Sequence, residues 1–437
     1  MKIAKSSLID PEKNEIYGIA AVALSFFVFA YSSRFGQISI LAYYGVWFLP
    51  VVTDYRRVLG RYSRFLWIFS FGIFCFISAF WSPAFGVSLR TAIQYLTHIV
   101  CALIAMRMLS TKTLLRGGLI GTGIVLVYSI LFGTYLMDAM DNTFSFVGAF
   151  SSKNQLGFFA SLGVIFSYAA VMLFRMRGIW MIGAGGGALL SAYCLLASQS
   201  ATSVITTAGV VALCIGLQGF MFFSPKHRRG FFAIALVFGL AGIVGALQFG
   251  AMDAILGVFG KDSTLTGRTY LWQQGIAAAA QSPIIGMGYQ GYWVPGASEA
   301  ERLWQEFFIT GRSGFHFHNT YIESMVETGI IGTGLLVFIL IACLTGHLKR
   351  LLTISRTPES LLFVGLSTLL VIRSFVEIDI LNPYQVGSFL FYFMAGRLTL
   401  AVRPVKAKAD RPQYGFMPNS PTGPERGQNG EPGIPAG

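Results

Sequence analysis

A chain of 437 residues with 54% hydrophobic, 15% aromatic and only 12% charged residues cannot cover a soluble surface, since soluble domains carry about 25% charged residues. This excludes a soluble multidomain enzyme and points to one membrane domain of about a dozen spans, each needing about 20 residues. The net charge of +13 fits nucleic acid, an anionic membrane surface, or the bias of basic residues toward the cytoplasmic side of a membrane.

In chain order, apolar runs predict helices near residues 16–33, 38–52, 65–80, 87–108, 114–137, 155–174, 179–197, 203–223, 230–249, 320–345, 361–380 and 385–400, assigned by length and apolar content. The first run lacks an A-x-A cleavage site and reads as a retained span. With the N-terminus placed in the cytoplasm, alternate loops collect Arg56, Arg57, Arg61 and Arg64, then Arg107, Lys112 and Arg116. Arg175 and Arg177, then Lys226, Arg228 and Arg229, then Lys349, Arg350 and Arg356 continue the pattern. The intervening loops 81–86 and 198–202 hold no charge. This asymmetry predicts an even number of spans with both termini cytoplasmic. It explains the +13 as an orientation signal, so no nucleic-acid partner is expected.

The expected fold is an all-α integral membrane protein with about 12 transmembrane helices and one large outer loop bearing short amphipathic helices. Residues 1–15 form a cytoplasmic N-terminus and 16–249 the first nine helices. The outer loop is 250–318, the last three helices lie in 319–400, and 401–437 is a disordered cytoplasmic tail. That tail holds seven of the fifteen prolines, a composition that does not build a core. The five cysteines lie singly inside apolar runs without a C-x-x-C pair, where a thiol serves as a small hydrophobe.

The outer loop carries the costly polar groups. It runs through Asp262 to Arg268, a helix through Trp272 to Gln281, and a stop at Ser282-Pro283. Gly286, Gly288 and Gly291 among Tyr289, Tyr292 and Trp293 make a flexible aromatic turn. Ser298 and Glu301 match a capping box for a second short helix lying on the membrane surface. The aromatic residues either anchor the loop at the interface or stack on sugar rings. The chain re-enters the membrane at Phe315-His316-Phe317-His318-Asn319. Helical spacing puts Asn319, Glu323 and Glu327 on one stripe. Such groups at a span entrance face a cavity or protein, as a hydrogen-bonded entrance or as a site. His316 and His318 lack a third ligand nearby and the H-E-x-x-H spacing is absent, so no metal and no cofactor is expected. Arg373 and Glu377, at i and i+4, are expected to form an internal pair.

These pieces resemble a known family. Phe150-Ser151-Ser152-Lys153-Asn154-Gln155-Leu156-Gly157, Thr266-Gly267-Arg268 followed by Trp272, the stretch from Pro283 to Gly291, and His318-Asn319-Thr320-Tyr321 with Glu327-x-Gly329 are similar to the O-antigen ligase and O-antigen polymerase superfamily. The likeness is greatest to its exopolysaccharide polymerase branch and covers about residues 15–400. It implies a metal-independent glycosyltransferase of the bacterial inner membrane, acting at the periplasmic face on an undecaprenyl-diphosphate-linked oligosaccharide, with an acceptor glycan as second substrate. A ligase moving glycan to lipid A core or another acceptor is the near alternative, and a transporter or flippase the alternative of another class. The lipid bilayer and the flippase and chain-length regulator proteins of the same pathway are the implied partners.

Under this resemblance His318 is the general base, with Glu323 or Glu327 taking or sharing that role. Arg268 clamps phosphate through its planar fork, unless it meets lipid headgroups. Lys153 with Asn154 adds a second phosphate contact, unless the lysine only snorkels to the interface. Asn319 completes the substrate-binding set. Ligases of the family carry an arginine in the small outer loop that here reads Ser198-Gln199-Ser200-Ala201-Thr202-Ser203. Ala201 stands in its place, which favours the polymerase reading or calls for another cation.

Overall fold

The computed structural model describes residues 4–60, 62–138, 143–249, 257, 267–312, 314–353 and 357–400. The start of the outer loop, with Asp262 to Thr266, and the expected disordered tail lie outside the described residues. Among those described, nine helices are long and apolar enough to cross a membrane. In lipid a helix satisfies every backbone polar group within itself, which is why such runs fold this way.

The helices are α1 (Glu15–Thr53), α2 (Leu66–Ser78), α3 (Phe85–Met108), α4 (Thr111–Phe132), α5 (Lys153–Tyr168), α6 (Ile179–Ala197), α7 (Ala201–Phe220) and α8 (Pro225–Gln248). They continue with α9 (Arg268–Ala279), α10 (Ser298–Glu306), α11 (Thr320–Thr353), α12 (Pro358–Arg373) and α13 (Val386–Leu398). Helix α1 is broken at Tyr31 and at Gly36, whose φ is 62°. Its halves fold back on each other: Tyr17 donates to the Val46 carbonyl, Trp47 Nε1 donates to Ser25 Oγ at 2.9 Å, and Phe29 meets Tyr43 at 5.1 Å. The two expected helices near 16–33 and 38–52 are thus an antiparallel pair within one continuous segment. Glycines allow the closest crossings. A Cβ on Gly117 would stand 2.6 Å from Val22, and one on Gly118 2.7 Å from Phe166, so α4 seats directly on α1 and α5.

Some expected helices are shorter than their apolar runs. The run 114–137 is helical only to Phe132 and then turns into strand β1 (Thr134–Asp138), paired antiparallel with β2 (Thr143–Gly148). Gly133 ends the helix in an extended conformation, and the Tyr135 and Phe144 rings stack across the hairpin at 5.6 Å. The fold is mostly helical, consistent with the expected all-α membrane protein, with one small hairpin among the described residues.

The two ends of the bundle differ in chemistry. At one end basic side chains cap helix C-termini, where carbonyls lack partners. Arg350 donates to the carbonyls of Arg397, Leu398 and Leu400, and Arg228 to those of Phe223 and Met221. Arg107 donates to the Arg57 carbonyl at the same end. The opposite end gathers the loops.

There α11 is interrupted at Gly329 (φ 61°, ψ −168°). The freed backbone pairs with the aromatic loop: Met287 N donates to the Val326 carbonyl, Gly288 N to Glu327, Ile330 N to Pro283 and Ile331 N to Ile284. A Cβ at Gly329 would stand 2.4 Å from the Ile284 backbone, in a conformation open almost only to glycine. Gly329→Ala is therefore expected to cost about 1–3 kcal/mol or more. Thermal unfolding in detergent should show a lower midpoint and less folded protein, and a wild-type melting curve would contradict this account of the break.

Helix α10 differs from expectation in its start and its seat. Ala297, not Ser298, is its N-cap, although Glu301 does reach back to accept from Gly296 N at 3.0 Å. Leu303 is buried in a cluster with Tyr292 and Phe317, and the buried Trp304 lies 6.2 Å from the Trp293 ring. The apolar side of α10 thus packs into the loop's own core rather than onto lipid. Its outer side carries Arg302 between Glu299 and Glu306, at 2.9 and 2.7 Å.

Candidate active site

Four helices begin at the loop end and turn their N-termini toward one point. Ser152 caps α5, accepting from Gln155 N, and Ser200 caps α7, accepting from Ser203 N. Gly267 in the left-handed conformation (φ 79°) starts α9 at Arg268. Asn319 accepts from Tyr321 N and Ile322 N at 2.9 and 3.1 Å, at the start of α11. Unpaired N–H groups and the helix dipoles make such a place favourable for negative charge.

At that point sits Glu377, from the loop between α12 and α13, with 6% of its surface exposed. Asn154 Nδ2 donates to its Oε1 at 2.8 Å, and Arg268 Nη2 donates to the same oxygen at 3.0 Å. Arg268 Nη1 donates to the Val376 carbonyl at 3.2 Å. His318 Nδ1 lies 3.5 Å from the other oxygen, Oε2. The backbone is held as well: Glu377 N donates to the Arg373 carbonyl, and Thr320 Oγ1 donates to the Glu377 carbonyl at 2.6 Å. Burial alone would raise the carboxyl, but His318 and Arg268 outweigh it and hold Glu377 well below the usual carboxylate range. Glu377 is thus ionised at neutral pH.

His318 occupies a tight turn at φ 51°, a region in which histidine is enriched among non-glycine residues. The turn is pinned at three places. His318 N donates to His316 Nδ1 at 3.0 Å, with the two rings 4.1 Å apart. Phe317 N donates to Glu323 Oε2 at 2.8 Å, and Trp293 Nε1 to Glu323 Oε1 at 2.8 Å. Burial, then the facing His318, keeps the His316 imidazole well below its ordinary value, consistent with its acceptor role.

The structure brings together His318, Arg268 and Asn154, three of the residues singled out in the sequence. Lys153 opens α5 beside Asn154 and is buried. The stripe of Asn319, Glu323 and Glu327 is present, but its side chains are turned to other work. Asn319 caps α11 and donates to the Phe375 carbonyl at 2.9 Å. Both Glu323 oxygens hold the 315–318 turn, while Glu327 accepts from Gln290, which also donates to Asn382. The carboxylate beside His318 is Glu377.

The expected Arg373–Glu377 pair does not form. Helix α12 ends at Arg373, and although Glu377 N still donates to the Arg373 carbonyl, the two side chains turn to different partners. Arg373 pairs with Asp379 instead, at 2.5 and 3.4 Å, lies 4.3 Å from the Phe158 ring centroid, and donates to Ser203 Oγ at 3.1 Å. Ser200 Oγ in turn donates to Asn154 Oδ1 at 2.8 Å. A buried guanidinium from α12 therefore reaches the short turn in which the sequence places Ala201. A signal for Glu377 was present: an acid in a short polar break between apolar runs, at the end that carries Arg268.

The absence of a third ligand near His316 and His318 in sequence does not carry over to space, since their ring nitrogens and a Glu377 oxygen all lie within 4.8 Å of one another. That set could offer three donors to a metal. However, Arg268 holds a fixed cation against the same carboxylate, and His316 Nδ1 is engaged by the backbone. The arrangement suits an anion better than a second cation.

Comparison with known proteins shows the family. The O-antigen ligase family pattern matches residues 186–337, from within α6 through the Arg268 and His318 region into α11. The chain is also 60% identical over 403 residues to the exopolysaccharide production protein ExoQ of Rhizobium meliloti (strain 1021), covering 92% of this chain and 93% of that protein. Sequence motifs, multi-pass helical architecture and this relative converge on one assignment: the chain belongs to the O-antigen ligase family of membrane glycosyltransferase-like enzymes, alongside ExoQ.

Proposed function

We propose that this protein is a polysaccharide polymerase of the bacterial inner membrane, joining undecaprenyl-diphosphate-linked oligosaccharide repeat units at the periplasmic face. The observation that carries the reading is the meeting of Arg268 and His318 among four helix N-termini, at the end of the bundle opposite the arginine-capped one. The basic end faces the cytoplasm, as the positive-inside rule requires, with both termini there and about twelve spans in all. The transferase reading rests on this placement of charge at one bundle end, where a transporter would carry its site near mid-span.

Diphosphate is a good leaving group, so the protein has to bind its charge and activate a hydroxyl. Arg268, with Asn154 and Lys153 at the α5 start, binds the diphosphate. His318 takes the proton of the acceptor hydroxyl at Nε2. The acceptor oxygen forms the new bond to the anomeric carbon, the bond from that carbon to the diphosphate oxygen breaks, and its electron pair leaves with undecaprenyl diphosphate. Glu323 and Asn319 hold the turn and helix start that present His318, and Glu327 holds the loop at 286–290. The chemistry requires no cofactor, and activity is expected to persist in a chelator.

A ligase would use the same donor chemistry, and the name of the matched family pattern favours keeping that reading. The relative from Rhizobium meliloti is named for exopolysaccharide production, which fits a polysaccharide product and names neither reaction. Lipid-linked glycans from cells lacking the protein separate the two. Single repeat units on the carrier lipid support a polymerase, whereas long unattached chains would overturn it in favour of a ligase. A flippase delivering the donor and a chain-length regulator are the partners such a polymerase needs.

A further inference from the structure

The reaction just described leaves the ring of His318 without an assigned partner. Its Nδ1 is buried and makes no hydrogen bond among the described residues, although 19% of the side chain is exposed. The accessible part of the ring is therefore the Nε2 side. The polar atom opposite Nδ1 is Glu377 Oε2, at 3.5 Å. We propose that Glu377 is the positioning residue of the site: its Oε2 selects the Nδ1–H tautomer of His318, fixes the ring, and leaves Nε2 free to take the acceptor proton. This inference rests on the reading of His318 as the base.

The other candidates for that role are already engaged. Both oxygens of Glu323 hold Trp293 Nε1 and Phe317 N, and Glu327 accepts from Gln290. His316 faces the His318 ring, yet its Nδ1 accepts the His318 backbone N–H. Arg268, the other charged group on Glu377, is a cation and would oppose an imidazolium. Glu377 is fixed so that one oxygen remains available: Asn154 and Arg268 both donate to Oε1, and the backbone is tied to Arg373 and Thr320. A carboxylate held this way orients an imidazole and stabilises the charge the ring gains on taking a proton. A separation of 3.5 Å before substrate binds is ordinary for a catalytic pair that tightens in the complex. Glu377 lies outside residues 186–337, the span that the family pattern matches.

The test uses the full-length protein in liposomes with undecaprenyl-diphosphate oligosaccharide, following kcat and donor KM across the range in which imidazole titrates. The charged or titratable groups facing His318 in this range are Glu377, His316 and Arg268. Glu377→Gln keeps an oxygen for Arg268 and removes the charge. It should lower kcat by about 10²-fold, leave donor KM within about threefold of wild type, and move the acid limb of the rate profile to lower pH. Glu377→Asp should restore the wild-type acid limb at a reduced kcat. A Glu377→Gln variant with wild-type kcat overturns the proposal, as does a reduced kcat with an unmoved acid limb. A raised KM with unchanged kcat also overturns it, assigning Glu377 to Arg268 alone. Should Glu377→Gln not fold, Glu377→Asp decides alone, and a wild-type kcat with its carboxylate one methylene shorter overturns the proposal. Wild-type protein that elongates nothing, or His318→Ala with full turnover, overturns the underlying reading instead.

Discussion

His318→Ala is expected to remove polymer formation, with a loss of at least about 10²-fold in the rate of repeat-unit transfer, while the protein stays inserted in the membrane. Part of the His318 side chain is exposed, and the turn is held by His318 N on His316 Nδ1 and Phe317 N on Glu323 rather than by the His318 side chain. Removing the imidazole therefore takes away a proton acceptor and little packing. Alanine at φ 51° carries a backbone cost, so His318→Asn is the sharper variant: asparagine tolerates this conformation and is no base. Both variants should elute as folded protein on size exclusion and give no ladder of repeat units. Wild-type ladders from His318→Asn would contradict the role assigned to the histidine.

Arg268 gives the second large effect. Its guanidinium makes a fork, one arm on the Val376 carbonyl and the other on Glu377, at the first residue of α9 where the helix dipole adds positive potential. Losing a preorganised donor to developing negative charge costs about 10²–10³ in rate, and Arg268→Ala should lose at least that much. Arg268→Lys keeps the charge but cannot bridge two acceptors in a plane, so it should recover little activity. Initial rates of elongation, normalised to folded protein, check both variants, and near wild-type rates with lysine would show that charge alone suffices.

Much of the fold was legible because lipid imposes strict rules. Span positions follow from apolar length, and the segregation of Arg57, Arg107, Arg228 and Arg350 to one bundle end follows from the placement of basic loops. Strand β1 is hidden in the sequence because Tyr135-Leu136-Met137 continue the apolar run of α4. Only the alternation in Thr143-Phe144-Ser145-Phe146 hints at strand.

The candidate site is legible in the sequence as far as Arg268, His318 and Asn154, which the structure brings together, but not in its wiring. Helical spacing puts Glu323 and Glu327 on one stripe with Asn319, and it tells which face a residue occupies but not what lies across from it. Glu377 was assigned to Arg373 by extending α12 beyond its actual end. Once the chain leaves the helix at Arg373, the acid is free to join residues about 60 to 220 positions away, a pairing that local periodicity does not encode.

The most direct test of the central claim is the product pattern from purified protein in liposomes, given an undecaprenyl-diphosphate-linked repeat unit as sole donor and acceptor. The account predicts a ladder of lipid-linked oligomers rising one repeat at a time, lost with His318→Asn and Arg268→Ala. Unchanged single repeat units from the folded wild-type protein, or a ladder that survives both substitutions, would contradict it.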